Sequence, residues 1–264
     1  MKPSGFVRAV MLAGFLFLWL PILLLVGFAF SADRIPFQWG GFSLRWFGVL
    51  AANERLLEAA WLSLRIAAAS ATLAVLMGGG IAFALARFGP FRGRALFGAL
   101  AGAPLVLPEV VIGLTLLLLF VALEGLIGWP AGRGAFTILL AHAGFGAAYV
   151  AVVVQARLAE AERSLEEAAM DLGATPLVAF RTITLPLIAP ALIAGWLLAF
   201  TLSLDDVVIA SFVSGPAGTT LPIALFSMLR LGLTPEVNAL GALVVLVVGS
   251  MLALALWLLG RRQT

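Results

Sequence analysis

Residues 134–156 read GAFTILLAHAGFGAAYVAVVVQA, a run without a single charge. A helix needs about 20 predominantly apolar residues to cross the hydrocarbon core of a bilayer, and this stretch is that long. It does not stand alone. Charge-free runs also cover 9–32, 66–86, 182–204 and 237–260, and the run 95–123 is interrupted once, by Glu109. The pattern predicts an all-α integral membrane protein of six transmembrane helices, at about 9–31, 60–86, 96–122, 136–156, 186–212 and 237–259. All belong to one transmembrane domain spanning 1–264. A seventh gap, 207–229, contains two prolines and two glycines between Ser214 and Pro222, which reads as a loop or a broken helix.

Composition supports this reading. The chain is 63% apolar and 11% charged, whereas a soluble domain runs about 45–50% and about 25%. Too few charges remain to coat a water-facing surface, and too many apolar residues for disorder. The absence of cysteine excludes disulfide scaffolds, thiolate metal sites and thiol catalysis. Lys2 is the sole lysine, and a Walker A loop needs Gly-Lys-Ser/Thr, so any ATP used is bound by another chain. A net charge of +3 leaves no basic stripe for nucleic acid.

Arginine placement sets the orientation. With the N-terminus inside, the inner side holds Lys2, Arg8, Arg87, Arg92, Arg94, Arg157, Arg163, Arg181, Arg261 and Arg262. The outer side holds Arg34, Arg45, Arg55, Arg133 and Arg230. Both termini are basic and are expected in the cytoplasm, which requires an even number of crossings. A cleaved signal peptide is the rival for the first run, but its apolar stretch exceeds the usual length of about 7–15 residues.

The inner loop 157–185 carries Glu160, Glu162, Glu166, Glu167 and Asp171, five of the 13 acidic residues. It reads as two short helices with a sharp corner. Ser164 and Glu167 form a capping box. Leu165, Ala168, Ala169 and Leu172 recur on one face, with Glu166 and Asp171 off it. Gly173 stands where a helix ends in a left-handed residue. Thr175-Pro176 restarts a helix, and Leu185-Pro186 is expected to open the next span likewise. A surface helix that lies on lipid is rich in Lys and Arg. This one is acidic, so docking to a soluble partner is the better use of its apolar stripe.

Glu167-Ala168-Ala169, three residues, Gly173, nine residues, then Ile183-Thr184-Leu185-Pro186 resembles the EAA loop of ABC importer permeases at every position. The resemblance implies the fold of a type I ABC importer permease. It also implies that Glu167, Ala168, Ala169 and Gly173, with neighbouring Glu166 and Asp171, couple the chain to a nucleotide-binding subunit. The partners implied are a homologous second permease, two ATP-binding subunits holding ATP and Mg, and a periplasmic binding protein. The chain itself then carries no cofactor, no metal and no catalytic residue, and it resides among the lipids of the bacterial inner membrane.

Three carboxylates fall at membrane depth: Glu109, Asp205 and Asp206. A carboxylate there costs at least about 2.5 kcal/mol and by default marks function. With a rise of about 1.5 Å per residue, Glu109 lies roughly 21 Å from residue 95 and Asp205 roughly 28 Å from Pro186. Both fall in the outer half, where an acidic cavity would attract cations. The competing reading pairs these acids with Arg65 or Arg230. The run from Ser203-Leu204-Asp205-Asp206 through Gly215-Pro216, Thr219-Thr220-Leu221-Pro222 and Thr234-Pro235-Glu236 resembles spermidine/putrescine permeases. It implies a polyamine cargo, with putrescine and spermidine not distinguished. Ser203 is a candidate hydrogen-bonding neighbour of the cargo. Trp46 is either a cation–π gate or, like Trp39, Trp61 and Trp129, part of an aromatic belt. His142, with no acid beside it in sequence, reads as a packing residue. Gly78-Gly79-Gly80, and Gly98 with Gly102, permit close helix packing.

Three rivals remain at this point. One is an importer permease for another substrate, such as iron or sulfate. Another is a secondary transporter that needs no ATP. The last, an intramembrane enzyme, finds little to catalyse with.

Overall fold

The computed structural model describes residues 4–35, 38–216, 218–231 and 234–260, without the side chains of 231, 248 and 251–260. Lys2, Arg261 and Arg262, which entered the orientation argument, lie outside the described residues. Within them the regular structure is helical, apart from one isolated bridge between Ser31 and Phe42. Twelve α-helices follow in chain order among the described residues: α1 (Gly5–Phe28), α2 (Arg45–Ala52), α3 (Glu54–Arg87), α4 (Arg94–Gly102), α5 (Glu109–Ile127), α6 (Ala135–Glu160), α7 (Ser164–Asp171), α8 (Pro176–Ala179), α9 (Leu185–Asp205), α10 (Val208–Val213), α11 (Leu221–Leu231) and α12 (Glu236–Gly260). Five described stretches are long and apolar enough to cross a membrane: α1, α3, α5, α6 and the continuous 30-residue run Pro176–Asp205. The sixth expected span coincides with the backbone of α12.

The chain forms two compact units, 1–58 with 225–264, and 59–224. In the first, α12 packs against α1 and α2. A Cβ on Gly241 would lie 2.6 Å from Leu25 Cδ2, which marks the crossing with α1. Trp46 is buried, and its indole N–H donates to the Ser31 carbonyl at 2.8 Å. Asn53 donates to buried Glu236 at 3.3 Å.

The second unit is built around α6, which buries 13 of its residues against α3, α9 and α10. Its core is made of small side chains, including Ala71, Ala74, Ala82, Ala147, Ala191 and Ala199, with Val150, Val154 and Leu158 between them. Lipid supplies no hydrophobic drive between helices, so close backbone approach must supply the attraction. Gly78 shows how close: a Cβ there would sit 2.5 Å from the Ala147 carbonyl oxygen. Of the other glycines expected to pack closely, Gly79 meets Leu192, while Gly80 and Gly102 face open space.

The expected third span is not one helix. α4 tightens into a short turn at Ala103–Leu105, the chain breaks, and Pro108 leads into α5. The fifth is likewise interrupted, because Asp206 takes an extended conformation between α9 and α10. Two local expectations are corrected. Ser164 does not cap α7: the helix starts a residue earlier on Arg163, whose carbonyl accepts the N–H groups of Glu166 and Glu167, and the Ser164 hydroxyl turns to Glu162. Leu185-Pro186 does not open a new helix either. α8 runs into α9 through a widened turn, Phe180–Thr184, where the Leu185 N–H reaches back to the Phe180 carbonyl. Proline has no N–H to donate and its ring crowds the preceding turn. A π-type turn absorbs both demands without ending the helix.

Candidate functional site

Four side chains from separate segments meet inside the second unit. His142 of α6 is 4% exposed. Its Nδ1 lies 2.7 Å from Ser203 Oγ, and its Nε2 lies 3.1 Å from Asp206 Oδ2. Ser70 of α3 donates to Ser203 at 3.1 Å. Asp206 also receives the Ile209 N–H at 3.2 Å and the Ala210 N–H at 2.7 Å. Its carboxylate thereby caps α10, satisfying donors that a helix N-terminus leaves orphaned. His142 is thus buried and fully bonded, as a packing residue should be, but it has an acid partner 64 residues away in sequence.

The other two membrane-depth acids differ. Asp205, the last residue of α9, and Glu109, the first of α5, are both exposed on this chain. Among the described residues neither forms an ion pair with Arg65, with Arg230 or with any other base. Arg230 instead lies over the Phe226 ring at 4.7 Å. The segments that the acids introduce touch one turn further on: a Cβ on Gly113 of α5 would lie 2.6 Å from Phe212 and 3.3 Å from the Ile209 Cα of α10. Ser203, only 9% exposed, is committed to His142 and Ser70. Trp46 lies in the first unit, with the Arg45 guanidinium 5.1 Å above its ring.

The hairpin 157–185 is formed much as its sequence suggests. Gly173 takes φ +91, its N–H bonds the Met170 carbonyl, and the Ala174 N–H bonds the Ala169 carbonyl. These two bonds make a Schellman stop. Thr175 caps the next helix through the Val178 N–H, with Pro176 at its first position. The apolar stripe is uncovered: Leu172 is 90% exposed and Leu165 49%. Glu167 is exposed and pairs with Arg163, one turn away, at 3.4 Å.

Glu166 faces the other way. Its Oε1 lies 3.0 Å from Arg87 Nε and accepts the Thr184 hydroxyl at 3.0 Å. Arg87 Nη1 and Nη2 reach the carbonyls of Leu158 and Ala161, at 3.2 and 3.5 Å. One half-buried ion pair therefore ties the end of α3, the end of α6, the hairpin helix α7 and the widened turn below α9. Sequence reasoning had Glu166 as a coupling residue and Arg87 as an orientation charge, but not their bond. The signal available was a basic residue ending a long apolar run and an acid off the apolar stripe.

The chain belongs to the family of binding-protein-dependent transport system inner membrane components, whose profile matches residues 74–262. It is 54% identical over 254 residues to the putrescine transport system permease protein PotI of Escherichia coli K12, covering 96% of this chain and 90% of that one. It is 38% identical over 261 residues to the spermidine/putrescine transport system permease protein PotC of the same organism, covering 99% and 94%. Among solved structures, a bacterial ABC transporter that imports the acidic polysaccharide alginate has a chain of the same fold (TM-score 0.69, 18% identity, 97% and 95% covered). So has the MetNI methionine ABC transporter (0.61, 18%, 79% and 96%).

Proposed function

We propose that this chain is a permease subunit of an ATP-driven importer that carries polyamines, putrescine or spermidine, across the bacterial inner membrane. The observation that carries the reading is the 54% identity with a putrescine permease over almost the whole chain. In this reading the chain is one permease domain of six spans with the type I importer fold and both termini cytoplasmic. A homologous permease stands beside it, two ATP-binding subunits hold ATP and Mg below it, and a periplasmic polyamine-binding protein delivers the cargo. This chain does no bond chemistry.

The uncovered stripe of the hairpin docks into an ATP-binding subunit, with Glu167, Ala168, Ala169, Asp171 and Gly173 at the contact and Glu166 transmitting its movement. A cation passing the outer half of the membrane meets Asp205 and Glu109, whose side chains form no ion pair with a base among the described residues. Asp206 and Ser203 shape that path from behind. A carboxylate at this depth is costly unless it meets positive charge, and a diamine supplies two.

The test is reconstitution of the complete assembly in proteoliposomes with labelled putrescine. Uptake should require ATP and the loaded binding protein, and Asp205→Asn should reduce it. Unaltered uptake by Asp205→Asn would remove that acid from the cargo path, and uptake of iron or sulfate in place of putrescine would remove the cargo assignment.

A further inference from the structure

His142 is the sole histidine of the chain, and nothing in the transport reading above uses it. Its two ring nitrogens both have partners: Nε2 lies 3.1 Å from Asp206 Oδ2 and Nδ1 lies 2.7 Å from Ser203 Oγ, which accepts in turn from Ser70. Asp206 also accepts two backbone N–H groups, at 3.2 and 2.7 Å. Each of the four side chains thus has a polar partner, which is what a buried network needs to hold one geometry.

The network is anchored where the backbone is least regular. Asp206 is extended, with φ −67 and ψ 128, between the end of α9 and the start of α10. Asp206 is the joint between the two helices, so how it is held sets how the end of α9, where Asp205 stands, meets α10. Asp205 is exposed, the proposed cargo-facing acid. Without the imidazole, Asp206 keeps only the donors of its own short helix and loses its tie to α6. Ser203 loses its ring partner at the same time. We propose that His142 is a positioning residue for the cargo path: by pinning Asp206 to α6 it fixes the break between α9 and α10 and so aims Asp205. The inference rests on the polyamine reading.

A double-mutant cycle on initial putrescine uptake tests it, in the complete assembly at saturating loaded binding protein. His142→Ala and Asp205→Asn are each expected to slow uptake about tenfold, within the roughly 10²-fold that a 1 Å misplacement of a working group can cost. The double variant should be within about twofold of Asp205→Asn alone, because a group acting through Asp205 has nothing left to aim. His142→Gln, whose amide can donate to Asp206, should keep more than half of the wild-type rate. Additive losses, or a His142→Ala rate equal to wild type, overturn the inference while leaving the polyamine reading intact. Should His142→Ala fail to co-purify with its partners, Ser203→Ala replaces it in the same cycle: a non-additive loss supports the inference, and an additive loss or a wild-type rate overturns it. Wild-type liposomes that take up no putrescine overturn both readings together.

Discussion

Arg87→Ala is the sharpest test of how the hairpin is fastened. The substitution removes the 3.0 Å pair with Glu166 and the two bonds to the Leu158 and Ala161 carbonyls. The side chains of Arg87 and Glu166 are 10% and 15% exposed, so Glu166 would be left as a mostly desolvated carboxylate with the Thr184 hydroxyl as its remaining donor. Removing one partner of a fully buried pair costs about 3–5 kcal/mol. The residual solvent contact here brings the expectation to roughly 2–4 kcal/mol. Arg87→Lys keeps the charge but not the planar fork, and so should fall between Ala and wild type. Glu166→Gln keeps the shape and the Thr184 contact and should lose less than Arg87→Ala. The assay has two arms on the purified assembly: thermal unfolding, and putrescine taken up per ATP hydrolysed in proteoliposomes. Arg87→Ala should lower the unfolding temperature and the uptake per ATP, with hydrolysis itself retained. Wild-type values in both arms would refute the fastening role; lowered stability with an unchanged ratio would confine it to structure.

Other substitutions probe separate links. Gly78→Ala places a Cβ 2.5 Å from the Ala147 carbonyl and should destabilise the bundle by about 1–3 kcal/mol, as overpacking does. Gly80→Ala, which meets nothing within 4 Å, should be neutral or slightly stabilising by helix propensity; thermal unfolding of the pair checks both. Gly173→Ala forces a Cβ into a left-handed residue at φ +91, a strain of about 1–2 kcal/mol, and should weaken uptake by misdirecting the hairpin corner. Leu172→Ser alters a side chain that is 90% exposed. It should leave the unfolding temperature of the permease unchanged while reducing co-purification of the ATP-binding subunits.

Spans were legible in the sequence because lipid punishes charge over about 20 residues, and a charge-free run is visible without knowing its neighbours. The hairpin was legible because helix stops and starts are local chemistry: Gly173 and Thr175-Pro176 act on residues within one turn. Ser164 failed as a cap because Arg163 already took a helical conformation and its carbonyl captured the first N–H groups. Leu185-Pro186 failed as a start because a widened turn costs less than breaking a helix inside a packed bundle. The polar chain through His142 could not be read at all. Ser70, His142, Ser203 and Asp206 come from α3, α6, α9 and the break after α9, and only packing brings them together. Of the close-packing glycines, the run at 78–80 was visible, but Gly146 and Gly195, which meet Ala199 and Val150 at 3.1 and 3.3 Å, carry no local signal apart from their size.

The two polar junctions stand at opposite ends of one helix. Below α9, Thr184 bonds Glu166 of the hairpin; near its far end, Ser203 bonds His142. The 21 residues of α9 span about 30 Å at about 1.5 Å each. Between the junctions, Gly195 lies close enough to Val150 for a Cβ to touch it at 3.3 Å, so α9 cannot bow toward α6. A displaced hairpin must therefore either strip Glu166 from Arg87 and Thr184 or carry the base of α9 with it. Stripping leaves a mostly desolvated carboxylate without its guanidinium, which is costly, and so favours movement of the base. In the proposed importer, movement of the base would be delivered to the break beside Asp205, and the bond from His142 to Asp206 would set whether α10 follows or stays. Cutting the lower junction should then lower uptake per ATP hydrolysed, whereas cutting the upper one should slow uptake through Asp205.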